Sequence, residues 1–108
     1  MPCELILVLD APSPRDVTPT LKRLAGTVTW VKVGLEMFTA CGPDCVREVA
    51  GIGFKVFLDL KLHDIPNTVK GAANAIARLA PTFLTVHASG GGAMIQSAAG
   101  ALPCAARS

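Results

Sequence analysis

The segment from Asp59 to Asp64 carries three ionisable side chains at spacings that could serve catalysis. Asp59 and Lys61 are two residues apart in an apolar run, so on a β-strand both side chains point to the same face. Asp64 follows three residues later, just before Pro66. A carboxylate held beside an ammonium group at the end of a buried strand can stabilise a charged transition state. The pattern therefore indicates electrostatic catalysis.

Ionisable side chains also end, or nearly end, the other apolar runs: Asp10 the first, Lys32 the second and His87 the fourth. The carboxyl ends of parallel strands are where α/β folds build their sites. An isolated charge in a partly dry cavity loses favourable solvation, so such groups are tolerated only where acid alternates with base. We expect the acids and lysines to form such a network, either preorganised for catalysis or purely structural.

Four apolar runs alternate with helix-like segments, and this order predicts parallel strands. The expected strands are 5–9, 29–33, 55–60 and 82–87. The expected helices begin near Ser13, Pro43, Pro66 and Met94. A complete (β/α)8 barrel needs about 250 residues, so four βα units in 108 residues predict half of one. We expect residues 1–108 to be a single partial domain, although an open doubly wound sheet also fits the order.

The composition excludes several classes of protein. Hydrophobic residues make up 51% and charged residues 17%, which favours a packed core over disorder. The net charge of +2, without any run of Lys or Arg, gives no reason to expect nucleic acid as a partner. No apolar run approaches the roughly 18 residues of a membrane span, and no signal peptide is evident, so a cytoplasmic protein is expected.

The four cysteines are expected to be reduced thiols rather than disulfides or zinc ligands: Cys3, Cys41, Cys45 and Cys104. Cys41 and Cys45 would share a face if their segment were one helix. His63 is expected to be structural or exposed. His87 has no assigned role, since a strand-end histidine can belong to a site or to a structural hydrogen bond.

The charged residues resemble the signature of the orotidine 5′-phosphate decarboxylase family. The run from Asp59 to Thr68 reads Asp-x-Lys-x-x-Asp-Ile-Pro-Asn-Thr. The segments similar to the family's first, second and fourth strands follow in the right order: Leu7–Asp10, Val31–Glu36 and Thr85–Gly91. The wider superfamily, with keto-gulonate-phosphate decarboxylase and hexulose-phosphate synthase, shares the Asp-x-Lys-x-x-Asp core. The Ile-Pro-Asn-Thr continuation favours the orotidylate branch.

The resemblance implies a role for each matching residue. Asp59 would lie against the substrate carboxylate and destabilise it relative to the transition state, and Lys61 would protonate the carbon that loses CO2. Lys32 would hold Asp59 and a ribose hydroxyl, and Asp10 would bind the nucleoside part. Asp64 would complete the catalytic set.

The resemblance also implies partners. Asp64, Ile65 and Thr68 would reach the neighbouring subunit's site in a homodimer, with Ile65 and Thr68 binding substrate. The enzyme would convert orotidine 5′-phosphate to uridine 5′-phosphate in de novo pyrimidine biosynthesis, without a metal or organic cofactor. Because the family's barrel has eight units, the phosphate- and pyrimidine-binding residues are expected beyond Ser108. The isolated 108-residue chain is expected to be inactive.

Three other functions remain open. A magnesium-dependent sugar-phosphate decarboxylase or synthase of the same superfamily would use Asp59 and Asp64 near the ion. A Schiff-base lyase would need a neutral Lys61 or Lys32, and nearby aspartates favour the charged form. A truncated half-barrel could instead act as an assembly module through its exposed sheet edges.

Overall fold

A computed structural model describes residues 3–10 and 14–102. The strands are β1 (Ile6–Leu9), β2 (Trp30–Gly34), β3 (Lys55–Leu62) and β4 (Phe83–Val86). The α-helices are α1 (Thr18–Leu24), α2 (Leu35–Cys41), α3 (Asp44–Ile52), α4 (Pro66–Ala77) and α5 (Gly92–Ala101). Two short 3-10 turns span Pro14–Asp16 and Ala88–Gly90. None of the described helices combines the length and hydrophobicity that a membrane crossing requires.

The strands form one parallel sheet in the order β1-β2-β3-β4. Val8 lies opposite Lys32, and Lys32 lies opposite Phe57, so their side chains share one face. Each strand pairs with the next strand along the chain, as in a barrel wall. Within the described residues, β1 and β4 are the two edges of this sheet. The predicted four parallel βα units are confirmed.

The hydrophobic core lies on the other face of the sheet, against the helices. Leu58 and Leu60 of β3 are 0% and 7% exposed, as the period of two along the strand predicts. The core also takes buried residues from β2, α1, α2 and α3: Val31, Val33, Leu21, Met37, Val46 and Val49. A smaller cluster of Val69, Met94 and Ala98 joins α4 to α5. Leu62 packs against both clusters.

The inner face of the sheet, away from the core, carries an aromatic cluster. Phe83 stacks on Trp30 with ring centroids 5.2 Å apart and meets Phe57 at 5.8 Å. Phe83 is 48% exposed and Val8 is 52% exposed, because no described helix covers this side of the sheet. The inner face is thus an exposed apolar surface that extends to the carboxyl ends of the strands.

Three elements differ from the sequence expectation. Residues 35–41, which lie between the second expected strand and the helix expected at Pro43, form the additional helix α2, because Met37 from this segment is buried in the core. The expected helix start at Ser13 lies outside the described residues, and α1 begins only at Thr18, after a 3-10 turn. β3 also continues to Leu62, two residues beyond its expected end.

The cysteines at 41 and 45 do not lie on one helix. α2 ends at Cys41 and α3 begins at Asp44, so the chain turns between the two thiols. Cys45 is a buried free thiol that donates a hydrogen bond to the Gly42 carbonyl oxygen at 3.0 Å. Burial, with a smaller effect from Cys41, raises the pKa of the Cys45 thiol to about 11, so it stays protonated. Cys104 lies outside the described residues.

The different burial of Leu58 and Leu35 predicts a large difference in stability between two leucine substitutions. Leu58→Ala should lower the free energy of unfolding by about 2–5 kcal/mol, because it leaves a cavity in the core. Leu35→Ala, at a residue 60% exposed, should change it by less than about 1 kcal/mol. Urea unfolding followed by circular dichroism measures both. Equal effects would contradict the placement of the core.

Candidate active site

Four of the residues singled out from the sequence line one cavity at the carboxyl ends of the strands: Asp10, Lys32, Asp59 and Lys61. The cavity has a volume of about 240 Å³. β2 supplies Lys32, β3 supplies both residues of the acid–base pair, and Asp10 follows the end of β1. Leu35 and Met37 of α2 form part of its wall. The parallel register therefore collects strand-end charges that are far apart in sequence.

Asp59 lies at the centre of this charge network. Its Oδ2 accepts a hydrogen bond from Lys61 Nζ at 2.8 Å and lies 3.3 Å from Lys32 Nζ. Its Oδ1 accepts a hydrogen bond from Thr85 Oγ1 at 2.8 Å. Asp59 is 8% exposed and is the buried charged residue of the described chain. The Asp59 carboxylate thus contacts two lysine ammonium groups, and such pairing offsets the cost of burying a carboxylate.

These contacts keep Asp59 ionised. Hydrogen bonds from Lys61 and Thr85, with a further contribution from Lys32, outweigh burial and lower its pKa from 3.8 to about 2. A carboxylate with this pKa carries its charge throughout the neutral range. The site therefore holds a permanent negative charge beside two ammonium groups.

Lys61 has an unusual backbone for a strand residue. Its φ is +49°, in the left-handed region that non-glycine residues rarely adopt. It lies where the register between β3 and β4 shifts, between Leu58 and Leu62. Its side chain is 67% exposed and its ammonium group lines the cavity. The arrangement can present a proton donor to a ligand that lies over the Asp59 carboxylate.

Asp64, Ile65 and Thr68 do not join this cavity. Asp64 and Ile65 line a second, more open cavity of about 530 Å³ at the start of α4. Asp64 Oδ1 accepts a hydrogen bond from its neighbour Ile65 N at 2.7 Å. Ile65 is 64% exposed, and Thr68 is exposed on the first turn of α4. Within one chain, these three residues form a separate surface.

A shared metal site for Asp59 and Asp64 has no support in the described residues. The two carboxylates line different cavities, and both oxygens of Asp59 are engaged by lysine or threonine. Across residues 3–10 and 14–102, no three His, Cys, Asp or Glu side chains are grouped so as to hold a metal ion.

The two histidines lie against each other near the second cavity. The rings of His63 and His87 stack with centroids 4.9 Å apart and planes at 18°. His87 Nδ1 also accepts a hydrogen bond from Ser89 N at 3.2 Å, which caps the 3-10 turn Ala88–Gly90. His63 is exposed, as expected, and the ring of His87 contacts His63 and Ser89.

Sequence reasoning did not single out Thr85. It lies on β4 between Phe83 and His87, with which it shares a face, so the period of two could have placed it beside Asp59. A threonine in a strand is too common to attract notice by its type alone. Only the pairing of β4 with β3 reveals its two site contacts.

The lowered pKa of Asp59 predicts a pH effect on stability. The pKa of Asp59 is about 2 in the folded chain and 3.8 for an ordinary aspartate. Ionised Asp59 therefore stabilises the fold above pH 3.8, and this stabilisation is lost as the pH falls through about 2. The unfolding free-energy difference between the wild type and Asp59→Asn should shrink by about 2 kcal/mol between pH about 5 and about 2. Urea unfolding measures it. A constant difference would refute the lowered pKa.

The chain is similar to known proteins along almost its whole length. It is 68% identical over 99 residues to the orotidine 5′-phosphate decarboxylase of Opitutus terrae, covering 92% of this chain and 43% of that protein. The crystal structure of orotidine 5′-phosphate decarboxylase from Lactobacillus acidophilus superposes with a TM-score of 0.82 at 42% identity, covering 94% of this chain and 47% of that one.

A more distant structure supports the fold alone. The orotidine 5′-monophosphate decarboxylase of Methanocaldococcus jannaschii, complexed with the inhibitor BMP, has a TM-score of 0.84 at 21% identity, over 91% of this chain and 46% of that one. The chain thus spans less than half the length of these relatives. Its four βα units correspond to half of a (β/α)8 barrel.

The model of the orotidine 5′-phosphate decarboxylase / HUMPS family matches residues 4–104. This range includes all four strands and every residue that lines the Asp59 cavity. The chain therefore belongs to the orotidine 5′-phosphate decarboxylase / HUMPS family.

Proposed function

We propose that residues 1–108 are the N-terminal half of a barrel that decarboxylates orotidine 5′-phosphate to uridine 5′-phosphate in pyrimidine biosynthesis. The observation that carries the proposal is the ionised Asp59 held between Lys32 and Lys61 at the carboxyl ends of the strands. The high identity to proteins named as orotidine 5′-phosphate decarboxylases favours this substrate over the sugar phosphates of the wider family.

In this proposal, Asp59 raises the energy of the bound substrate relative to the transition state. Two negative charges about 4 Å apart repel by about 4 kcal/mol at an effective dielectric constant of 20. The repulsion between Asp59 and the substrate carboxylate falls as neutral CO2 leaves. An interaction that improves only along the reaction path accelerates the chemical step, and 4 kcal/mol corresponds to a factor of about 10³.

Lys61 completes the reaction by supplying a proton. When the bond to the carboxylate breaks, its electron pair stays on the ring carbon, and a proton from the Lys61 ammonium group forms the new C–H bond. The carbanion-like charge develops next to this ammonium group, which stabilises it before the proton moves. The neutral amine then regains a proton from water.

Lys32 and Asp10 bind the rest of the nucleotide in the proposed enzyme. Lys32 Nζ lies 3.3 Å from Asp59 Oδ2, so it holds the carboxylate and is close enough to the cavity to meet a ribose hydroxyl. Asp10 is exposed and lines the same cavity, where its carboxylate can accept hydrogen bonds from ribose hydroxyls.

We also propose that the enzyme is a homodimer in which Asp64, Ile65 and Thr68 enter the site of the neighbouring subunit. Their separation from the Asp59 cavity within one chain supports this arrangement, since none of the three lines that cavity in its own subunit. The strongly exposed Ile65 is also suited to burial by a partner. The expected cytoplasmic location remains a prediction.

The remaining half of the barrel is needed for activity in this proposal. The open inner face, with the exposed side chains of Val8 and Phe83, would be buried once four further strands close the sheet. Closure would exclude water from the cavity, and it would supply the groups that bind phosphate and pyrimidine. The 108 residues alone would therefore bind the nucleotide weakly and turn over none.

A completed chain tests the reaction. We define it as residues 1–108 fused to the part of the Opitutus terrae relative that follows the matched region. Orotidine 5′-phosphate loss, followed by absorbance, should be rapid for the completed chain and absent for the 108 residues alone. Lys61→Ala should lower kcat by more than about 10³-fold, because both a proton donor and a stabilising charge are removed.

The matched control is Lys22→Ala, at an exposed lysine of α1, which should leave kcat unchanged. Normal turnover by the Lys61→Ala variant would refute the mechanism. Activity that disappears in chelator and returns with Mg2+ would favour the magnesium-dependent alternative. A borohydride-trapped adduct on Lys61 would favour the Schiff-base lyase.

Mixing two inactive variants of the completed chain tests the shared site. Lys61→Ala and Asp64→Asn should each be inactive alone. In a mixed dimer, one site receives Lys61 and Asp64 from different subunits and is intact, so random mixing should restore about a quarter of wild-type activity. Absence of any recovery after the subunits have exchanged would contradict the shared site. Exchange itself is verified by native mass spectrometry.

A further inference from the structure

We propose that Thr85 is a positioning residue that fixes Asp59 and Lys61 in their reactive arrangement, a role that rests on the proposed function. Thr85 lies on β4 and is half-buried. Its hydroxyl accepts a hydrogen bond from Lys61 N at 2.9 Å and donates one to Asp59 Oδ1 at 2.8 Å. One side chain on the neighbouring strand thus contacts both members of the acid–base pair.

The hydrogen bond from Lys61 N to Thr85 joins β3 to β4 where the register of the two strands shifts. Leu58 pairs with Leu84 and Leu62 pairs with Val86, so three residues of β3 face the single residue Thr85 on β4. Backbone hydrogen bonds flank this bulge, from Thr82 N to Val56 O and from His87 N to Leu62 O, each 2.8 Å long.

Inside the bulge, Lys61 has a left-handed backbone, and its N–H donates to a side-chain oxygen of β4. A bulged N–H without a ladder acceptor needs another partner. The Thr85 hydroxyl is that partner. It therefore holds Lys61 in a backbone conformation that the residue would not adopt by itself.

The second contact follows from the first because a hydroxyl has one proton. Lys61 N–H can only donate, so the Thr85 oxygen accepts there and its own proton is free to point at Asp59. That geometry requires Asp59 Oδ1 to be an acceptor, which is its state as a carboxylate. Oδ2 is left for the two lysine ammonium groups.

The three residues thereby form a closed ring of hydrogen bonds. It runs from the Lys61 N–H to the Thr85 hydroxyl, from there to Asp59 Oδ1, and from Asp59 Oδ2 back to Lys61 Nζ. Both ends of Lys61 are tied to one carboxylate, so the backbone, the acid and the proton donor are oriented together. Removing the Thr85 hydroxyl would break two of the three hydrogen bonds of this ring.

Two variants separate the hydroxyl from the shape of the side chain. Thr85→Val keeps the branched shape without the hydroxyl, and Thr85→Ser keeps the hydroxyl. In a ¹³C carboxyl NMR titration of the 108-residue chain, Thr85→Val should raise the Asp59 pKa from about 2 toward 3.8, because a hydrogen bond that lowers it is lost. Thr85→Ser should titrate like the wild type.

In the completed chain, Thr85→Val should lower kcat by about 10–100-fold with little change in KM. The reason is that Asp59 and Lys61 lose their alignment for the chemical step, whereas substrate binding is little affected. Thr85→Ser should stay within about threefold of the wild type. Thr82→Val is the matched control: Thr82 precedes β4, and its side chain is not among the partners of Asp59 or Lys61.

The outcomes distinguish this proposal from the proposed function. If Thr85→Val raises the Asp59 pKa in the 108-residue chain but the completed wild-type chain has no decarboxylase activity, the function is refuted and the hydrogen-bonded ring stands. An unchanged titration, or a serine variant that behaves like valine, would overturn the role of the hydroxyl. If Thr85→Val does not fold, amide hydrogen exchange of wild-type Lys61 decides: protection supports the bond to Thr85, and exchange at the rate of an exposed loop overturns it.

Discussion

The site depends on keeping one carboxylate ionised while it is almost fully removed from water. Burial alone favours the neutral form of Asp59, and its solvation loss must be offset by specific partners. Lys61, Thr85 and Lys32 supply that offset from three strands of the sheet. A shift of any one strand against its neighbours would separate the charges. The chemistry of the site therefore depends directly on the register of the sheet.

The sheet keeps this register because one of its faces packs against the helices while the other carries the charged residues. The outer face packs apolar side chains such as Val31 and Leu58 against the helices, which holds the register. The inner face carries an aromatic floor of Trp30, Phe57 and Phe83 and, above it, the charges. Alternation along each strand lets a residue that stabilises the fold sit directly beside one that belongs to the site.

The open inner face explains how half a barrel can carry a nearly complete charge network and still be proposed as inactive. The Asp59 cluster is built from neighbouring strands within residues 3–10 and 14–102, and its partners need no other part of the molecule. A closed, dry cavity is different, because it requires a wall on the far side. In the proposed enzyme, the rest of the barrel supplies that wall, and a second subunit supplies the surface around Asp64 and Ile65.

The amino-acid sequence by itself determined the parallel βα order, the shared face of Asp59 and Lys61, and the family. These features follow from local periodicity, from helix start signals and from a motif in which most positions are specified. It did not predict α2, because Met37 becomes a core residue only once the sheet exists.

Nor did it reveal the bulge in β3, the positive φ of Lys61 or the stacking of the two histidines. Thr85 shows the reason most clearly: its hydroxyl acquires two site contacts only through the offset between β3 and β4. Local pattern determines which way a side chain points, and tertiary structure alone decides what it meets there.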